Sequence, residues 1–233
     1  MHTPISPAIL YWGTPVVLIT TTNPDGTPNI APISSAWWLA HRCVVGLGGS
    51  SQSTENLLRT GNCVINLPTD DMAPAVNRLA RTTGTDPVPV WKASTGHVYV
   101  KDKFAHAGLT PQASEVVATP RIKECAVQME AELAGAHEMM EEMGGLKGAI
   151  MAVELRIVRT HVEEALLLEG HANRIDAAKM RPLIMCFQEF YAMGPKVADK
   201  SRLAEVQEEN YRVLTGSTVV EGEVVEVKKG ELL

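Results

Sequence analysis

The 233-residue chain is poor in aromatic residues, which make up 5%, with only three phenylalanines against 18 glycines and 14 prolines. Any core must therefore be assembled from Val, Ile, Leu, Ala and Met. Cysteine is also scarce. Cys43, Cys63, Cys125 and Cys186 form no C-x-x-C pair, which speaks against a zinc site and against a thioredoxin-type redox pair. Three of them lie inside apolar runs, where a reduced thiol packs as a small hydrophobe. The histidines at 2, 41, 97, 106, 137, 161 and 171 contain no H-x-H or H-x-x-x-H pair, so no metal site is expected. There is no G-x-S-x-G elbow and no cysteine in a recognisable nucleophile setting. A basic surplus is missing too: Lys plus Arg total 21 against 27 acids, a net charge of −6. That excludes a general nucleic-acid binder, which needs a basic face. No apolar run reaches the roughly 18 residues of a membrane span, and no basic segment precedes an apolar one near the start. The expectation is a cytoplasmic protein with no membrane partner.

What is present is ordinary for a globular chain: 45% apolar and 21% charged residues, enough for one domain with an appendage. Pro15–Thr22 and Asn29–Trp38 are β-branched runs around Asn23-Pro24-Asp25-Gly26-Thr27, a hairpin turn in which Pro presets φ and Gly supplies a positive one. Arg42–Leu47 reads as a third strand. Ser53–Thr60 reads as a short helix with Ser53 as N-cap and Gly61 as terminator. Cys63–Leu67 is the next strand, and Thr69 caps a second helix. Residues 81–119 are rich in Thr, Gly, Pro and Asp and read as a long excursion. Lys123–Ala136 alternates, with Glu124, Gln128, Glu130 and Glu132 on a wet or subunit-facing side. Gly148–Thr160 is a further long strand, and Leu183–Tyr191 closes the core. Seven or eight strands with only short helices between them imply a mainly β, antiparallel barrel with short helical insertions. From Pro195 the character changes: Asp199–Leu214 reads as a polar helix, and Thr218–Lys229 as an arm or tail. The expected division is a domain over 1–194 and a helical extension over 195–233.

The stretch Asn29–Leu67 carries the chemistry. Gly46-Leu47-Gly48-Gly49-Ser50-Ser51 fails as a dinucleotide fingerprint, because Ser51 replaces the last small residue and no βαβ frame surrounds it. Yet a strand that ends in Gly48, Gly49 and Ser50 and runs into a helix carrying Ser53, Thr54 and Asn56 makes an anion pocket. Free N–H groups and hydroxyls converge on the positive end of the helix dipole. The same residues could equally cap the helix. On the neighbouring strand, Ile33, Ser34, Ser35 and Ala36 would face the rest of a ligand. Trp37 and Trp38 must point to opposite faces. With a cofactor cradle and no evident acid, base or nucleophile, the cofactor is expected to carry the chemistry, and no catalytic side chain is assigned.

These pieces, in their order, resemble the flavin reductase-like, FMN-binding split-barrel proteins, and more narrowly the flavoredoxin-type branch. The resemblance rests on the hairpin Pro15–Ser35 with Asn29-x-Ala31-Pro32, on Ser53-Thr54-Glu55-Asn56-Leu57 followed by Gly61-Asn62-Cys63-Val64-Ile65-Asn66-Leu67, and on Lys103-Phe104-Ala105-His106-Ala107-Gly108-Leu109-Thr110. Pro120-Arg121-Ile122 and the segment from Ile175-Asp176 to Pro182-Leu183 and Tyr191 complete it, over about residues 8–194. It implies a Greek-key split barrel, a homodimer with FMN at the subunit interface, and the phosphate near Ser50, Ser53 and Thr54. It further implies reduction of flavin by NADH or NADPH, with electrons passed to a partner oxygenase or another acceptor. The alternative is an FMN-binding electron carrier, or a non-reductase reuse of the scaffold in a biosynthetic pathway. One departure stands out. The segment after the third strand is Gly-Gly-Ser-Ser-Gln-Ser-Thr, where many flavoredoxin-type members have Lys-Asp-Thr. Phosphate charge would then be met by backbone dipoles and hydroxyls, or by a distant arginine such as Arg81.

Overall fold

The computed structural model describes residues 1–198, 201–215, 217–220 and 223–226. After a short strand β1 (Trp12–Pro15), the chain forms β2 (Val17–Thr22) and β3 (Pro28–Ile33), paired antiparallel about a turn in which Gly26 sits at φ +82°. β4 (Ala36–Leu39) and β5 (Arg42–Gly48) form a second hairpin. Helix α1 (Gln52–Thr60) follows and stops at Gly61 in the left-handed region, φ +71°. Then come β6 (Asn62–Leu67), α2 (Ala73–Leu79), α3 (Val90–Ser94) and α4 (Lys103–Ala107). The long strands β7 (Val127–Glu138) and β8 (Ile150–Val162) precede a final hairpin, β9 (Leu183–Cys186) and β10 (Glu189–Ala192), which pairs with β1.

Seven strands make one antiparallel sheet in the order β3-β2-β6-β7-β8-β5-β4. Its two outermost strands, β3 and β4, are consecutive in sequence and joined only by Ser34-Ser35. The sheet therefore curls until its edges meet at a covalent link rather than at a ladder, which is what makes the barrel split. β2 shows why the strands hold. Val17 and Ile19 face the barrel interior with Val45, Leu57, Ile65 and Leu155, while Leu18 faces a second cluster with Ile30, Val76, Leu79, Phe104, Ile122 and Leu183. A strand covered on both faces reads as a continuous apolar run, as this one does. The second cluster seats α2 and α4, and with them the excursion of residues 81–119, on the outside of β3.

Several expectations from the sequence are corrected. Helix α1 begins earlier than expected: Ser51, not Ser53, is the N-cap and accepts from the Thr54 N–H. Thr69 makes no cap bond; its hydroxyl goes to Asp71, and a 3-10 turn over Asp70–Met72 comes before α2. The side of β7 expected to be wet or subunit-facing is so only in part: Glu132 is accessible, as is Glu124 before the strand, but Gln128 and Glu130 are buried. Gln128 ties Arg121 to the carbonyls of Ile122 and Cys125, and Glu130 is roofed by the segment 115–117. The excursion contains α3 and α4, and Asp102 caps α4 through the Ala105 N–H. In Leu183–Tyr191 only Leu183 is buried; the rest forms the outer hairpin. The continuous helix expected over 199–214 is replaced by two 3-10 segments, Arg202–Glu205 and Glu208–Thr215, separated by an extended Val206. Positions 199 and 200 of the expected helix, and positions 221, 222 and 227–229 of the expected arm, lie outside the described residues.

Candidate flavin site at the split of the barrel

Two neighbouring features sit along β3. The first is a cleft of about 440 Å³ at the split itself. It is lined by Ile33, Ser34, Ser35 and Gly46 from β3, the link after it and β5, by Val76, Ala80 and Arg81 from α2 and the residues that follow it, and by Tyr11, Met185, Phe187 and Phe190. The two serines differ in their duties. The Ser35 hydroxyl donates to the Gly46 carbonyl at 2.7 Å, and the Gly46 N–H donates back to the Ser35 carbonyl. A Cβ on Gly46 would stand 3.0 Å from that of Ser35, so the close approach needs glycine. Ser34 makes no side-chain hydrogen bond among the described residues, and its hydroxyl is left to the cleft.

The second feature lies toward the start of β3, where the excursion folds back over the N-terminal end of α1. The Asn29 amide donates to Ser53 Oγ at 3.0 Å and to Thr21 Oγ1 at 3.3 Å. Its Oδ1 is buried without a hydrogen-bond partner among the described residues, as is Thr85 Oγ1. Gly84 closes against this point: a Cβ there would stand 2.6 Å from Asn29 Oδ1 and 3.1 Å from Gln52 Cγ. Into the same place come two lysines. Lys103, 3% exposed, donates to the Ile30 carbonyl at 2.9 Å. Lys92, 8% exposed, reaches Thr83 Oγ1 at 3.4 Å, with the Trp91 ring 5.3 Å away. Neither has a carboxylate within ion-pair distance among the described residues. Burial, and after it the charge of Lys92, pushes the Lys103 ammonium down to about 8, and burial also lowers Lys92, with Glu55 opposing. Two buried cations beside the unpaired Thr85 hydroxyl at a helix N-terminus form a setting that an anion would neutralise, while Asn29 Oδ1, an acceptor, is left to a donor.

A model of the flavin reductase like domain matches residues 11–194. The chain belongs to this flavin reductase-like family. It is 38% identical over 198 residues to uncharacterized protein YdfE of Bacillus subtilis (strain 168), covering 85% of this chain and 92% of that protein. Its fold is similar to flavoredoxin of Desulfovibrio vulgaris (Miyazaki F), with a TM-score of 0.68 at 21% identity, covering 88% of this chain and all of that one. It is also similar to nitrilotriacetate monooxygenase component B from Bacillus cereus, with a TM-score of 0.64 at 24% identity, covering 80% and 87%.

In this flavin reductase-like chain the residues singled out from sequence do not gather in one place. Ile33, Ser34, Ser35 and Arg81 meet in the cleft, with Arg81 there and not beside the helix N-terminus. Ser53 stands with Asn29 and the two lysines. Gly48, Gly49 and Ser50 form the turn before α1, where Ser50 is exposed. Gly49 is required by packing: a Cβ would lie 1.9 Å from the Gly148 carbonyl. Thr54 and Asn56 turn inward. Thr54 Oγ1 donates to the Gly48 carbonyl, and the Asn56 amide donates to Thr21 Oγ1 and Asn23 Oδ1, so both brace the turn and the first hairpin. Ala36 is buried in the barrel core. Sequence reasoning missed Lys92, Lys103 and Asn29 as site residues. The one available signal was Lys103 itself, a lysine opening the apolar Phe104–Ala107 segment, where a surface role is unexpected. Three of the four thiols are buried: burial raises the Cys43 thiol to about 12 and pushes Cys63 and Cys125 up as well. Among the described residues no cluster could hold a metal, and no helix is long and apolar enough to cross a membrane.

Proposed function

We propose that the chain is an FMN-dependent flavin reductase that takes electrons from NADH or NADPH and passes them to a partner oxygenase or another acceptor. The observation that carries this reading is the pair of buried, carboxylate-free lysines Lys92 and Lys103 beside a ring-sized cleft on the same strand. The distance from Ile30 to Ser34 is about 13 Å at ~3.3 Å per residue, so a phosphate at one end and a ring at the other belong to one extended ligand. The residues fit FMN on the structure's own terms. The cations, the orphaned Thr85 hydroxyl and the α1 N-terminus suit a terminal phosphate dianion, and the cleft suits a flat apolar ring. This answers the missing Lys-Asp-Thr: the positive charge comes from the excursion, not from the turn before α1.

A bound flavin supplies two-electron acceptance from a nicotinamide and onward delivery of those electrons. The protein's own part is positioning. Lys103 and Lys92 hold the phosphate, Ser34 orients the ring edge, and the aromatic wall of Tyr11, Phe187 and Phe190 excludes water. A homodimer is part of the reading. The edge strand β4 exposes Trp37 and Leu39, a surface suited to a second copy.

The absorption spectrum of purified protein is the first test. A bound-flavin spectrum, or FMN binding at micromolar concentration, supports the reading, and protein that stays colourless and binds no added FMN defeats it. Steady-state NAD(P)H oxidation with FMN present then separates a reductase from a carrier, since rapid turnover excludes the carrier.

A further inference from the structure

Four non-glycine residues among those described have positive φ: Ala40, Arg81, Met140 and Phe187. Two of the four, Arg81 at φ +55° and Phe187 at φ +55°, line the same cleft. A non-glycine side chain held in the left-handed region is strained, and such residues gather at ligand clamps and active sites. The conformations are held by neighbours. The Arg81 carbonyl accepts from the Val98 N–H at 3.0 Å, and the Phe187 N–H donates to the Tyr11 carbonyl at 2.7 Å. Arg81 comes just after Ala80, the C-cap of α2, at a position where glycine would be free of strain. The guanidinium makes no hydrogen bond or ion pair among the described residues. Phe187 packs edge-on against Trp12, with ring centroids 4.9 Å apart at 77°, so one face of its ring is set by that contact.

From this geometry we infer that Arg81 and Phe187 form a clamp across the mouth of the cleft, selecting as the reactant that meets the flavin a planar molecule with an anionic group. Phe187 lies against the plane and Arg81 takes the anion, for which its planar fork of donors suits a carboxylate or phosphate. The inference rests on the flavin reading for the word reactant, but the preference of the cleft belongs to the chain itself. The same chemistry has two sources, a reduced nicotinamide dinucleotide with its diphosphate or an anionic aromatic acceptor.

Binding to the protein without flavin tests the clamp apart from turnover. The ligands are 2-naphthoate and 2-naphthamide, which differ in charge and little in shape, titrated by calorimetry into wild type, Arg81→Gln, Arg81→Lys and Phe187→Leu. Gln and Lys share the backbone strain of Arg at this position, so Arg81→Gln removes the charge and Arg81→Lys keeps it without the planar fork of donors. The expected result is about tenfold preference for naphthoate in wild type, lost in Arg81→Gln, kept in part by Arg81→Lys, and unchanged in Phe187→Leu, where both ligands weaken together. An equal preference in wild type and Arg81→Gln overturns the clamp. On FMN-loaded protein, Arg81→Gln raises KM for NADH and NADPH if the donor is clamped, or KM for anthraquinone-2-sulfonate if the acceptor is; no change in any of these KM values also overturns it. Protein that binds no FMN sinks the flavin reading, and the naphthoate preference then decides the clamp alone.

Discussion

Two regions of this molecule bury charge, and they treat it in opposite ways. Under the segment 115–117, the Glu130 carboxylate is 0% exposed and fully partnered. It accepts from the N–H groups of Glu115, Val116 and Val117 at 2.8, 2.6 and 2.9 Å, and His161 Nε2 lies 2.7 Å away. Burial works to raise this acid, but the three N–H groups and His161 outweigh it and hold it at about 2. Over the N-terminus of α1, by contrast, Lys103 has one carbonyl and a like-charged neighbour, and its ammonium is pushed down to about 8. A completed cluster is a joint of the fold, whereas an incomplete one is a seat for something else. A buried charge that stability alone had shaped would look like the first.

The largest effect expected from breaking this contrast is at the joint. Glu130→Ala takes the shared acceptor from three N–H groups and His161 and opens a hole under the segment 115–117, and should cost about 3 kcal/mol of stability, read as a fall in Tm. The acid limb should change with it. Glu130 titrates at about 2 when folded against an ordinary 4.5, so its contribution is fully present above about pH 4.5 and fades as pH falls toward 2. In the variant that part of the acid dependence should disappear. FMN affinity per folded molecule should stay as in wild type, because nothing at this joint touches the cleft.

The intermediate effect is at the seat. Lys103→Met should weaken FMN binding about 100-fold, the order of one charge-assisted contact, while Tm of the flavin-free protein holds or rises. The slope of stability with pH has the same sign as that of Glu130, in an alkaline window and through relief of a penalty rather than gain of a contact. The folded lysine releases its proton near pH 8, and the unfolded one keeps it to about 10.5. Between these values the unfolded state binds more protons, so flavin-free stability should rise with pH across that window. FMN affinity should fall over the same range, by up to about tenfold per pH unit, because the cation is what holds the phosphate. Fluorescence titration of FMN at stepped pH, beside thermal melts, reads both. An affinity that is flat from pH 7 to 10 would remove Lys103 from the phosphate site.

The same contrast marks what the sequence makes legible. Hairpins with a D-G turn, β-branched runs and a glycine-terminated helix are local patterns, and they point to the antiparallel barrel and to the run from Asn29 to Leu67. The partners of a buried charge are not local. Glu130 alternates with apolar residues as a solvent-facing strand position would, and only the return of residues 115–117, bound by backbone N–H groups that have no side-chain signature, makes it interior. Lys92 and Lys103 sit in a stretch with no periodicity, and their convergence on Ser53 depends on how that stretch folds over β3. Thr54 and Asn56 carry the residue types of a phosphate cradle, yet their side chains are consumed by the Gly48 carbonyl, Thr21 and Asn23. Composition cannot distinguish a hydroxyl or amide that is free from one already engaged.

The smallest effect is the sharpest form of that distinction, because it lies within one dipeptide. Ser34 and Ser35 are the same residue in adjacent positions at the split of the barrel. Ser35 spends its hydroxyl on the Gly46 carbonyl at 2.7 Å, and Ser34 offers its own to the cleft. Ser35→Ala should therefore lower stability by about 1 kcal/mol, the worth of one ordinary hydrogen bond, and move FMN affinity only as far as the loosened floor allows. Ser34→Ala should leave Tm unchanged and weaken FMN by about threefold to tenfold. Melts and flavin titrations on the two single variants decide it. If both behave as Ser35→Ala is expected to, the link between β3 and β4 is a strut and the ring is held elsewhere. If both behave as Ser34→Ala is expected to, the Ser35–Gly46 bond gives way when the flavin enters, and the split of the barrel opens as part of binding.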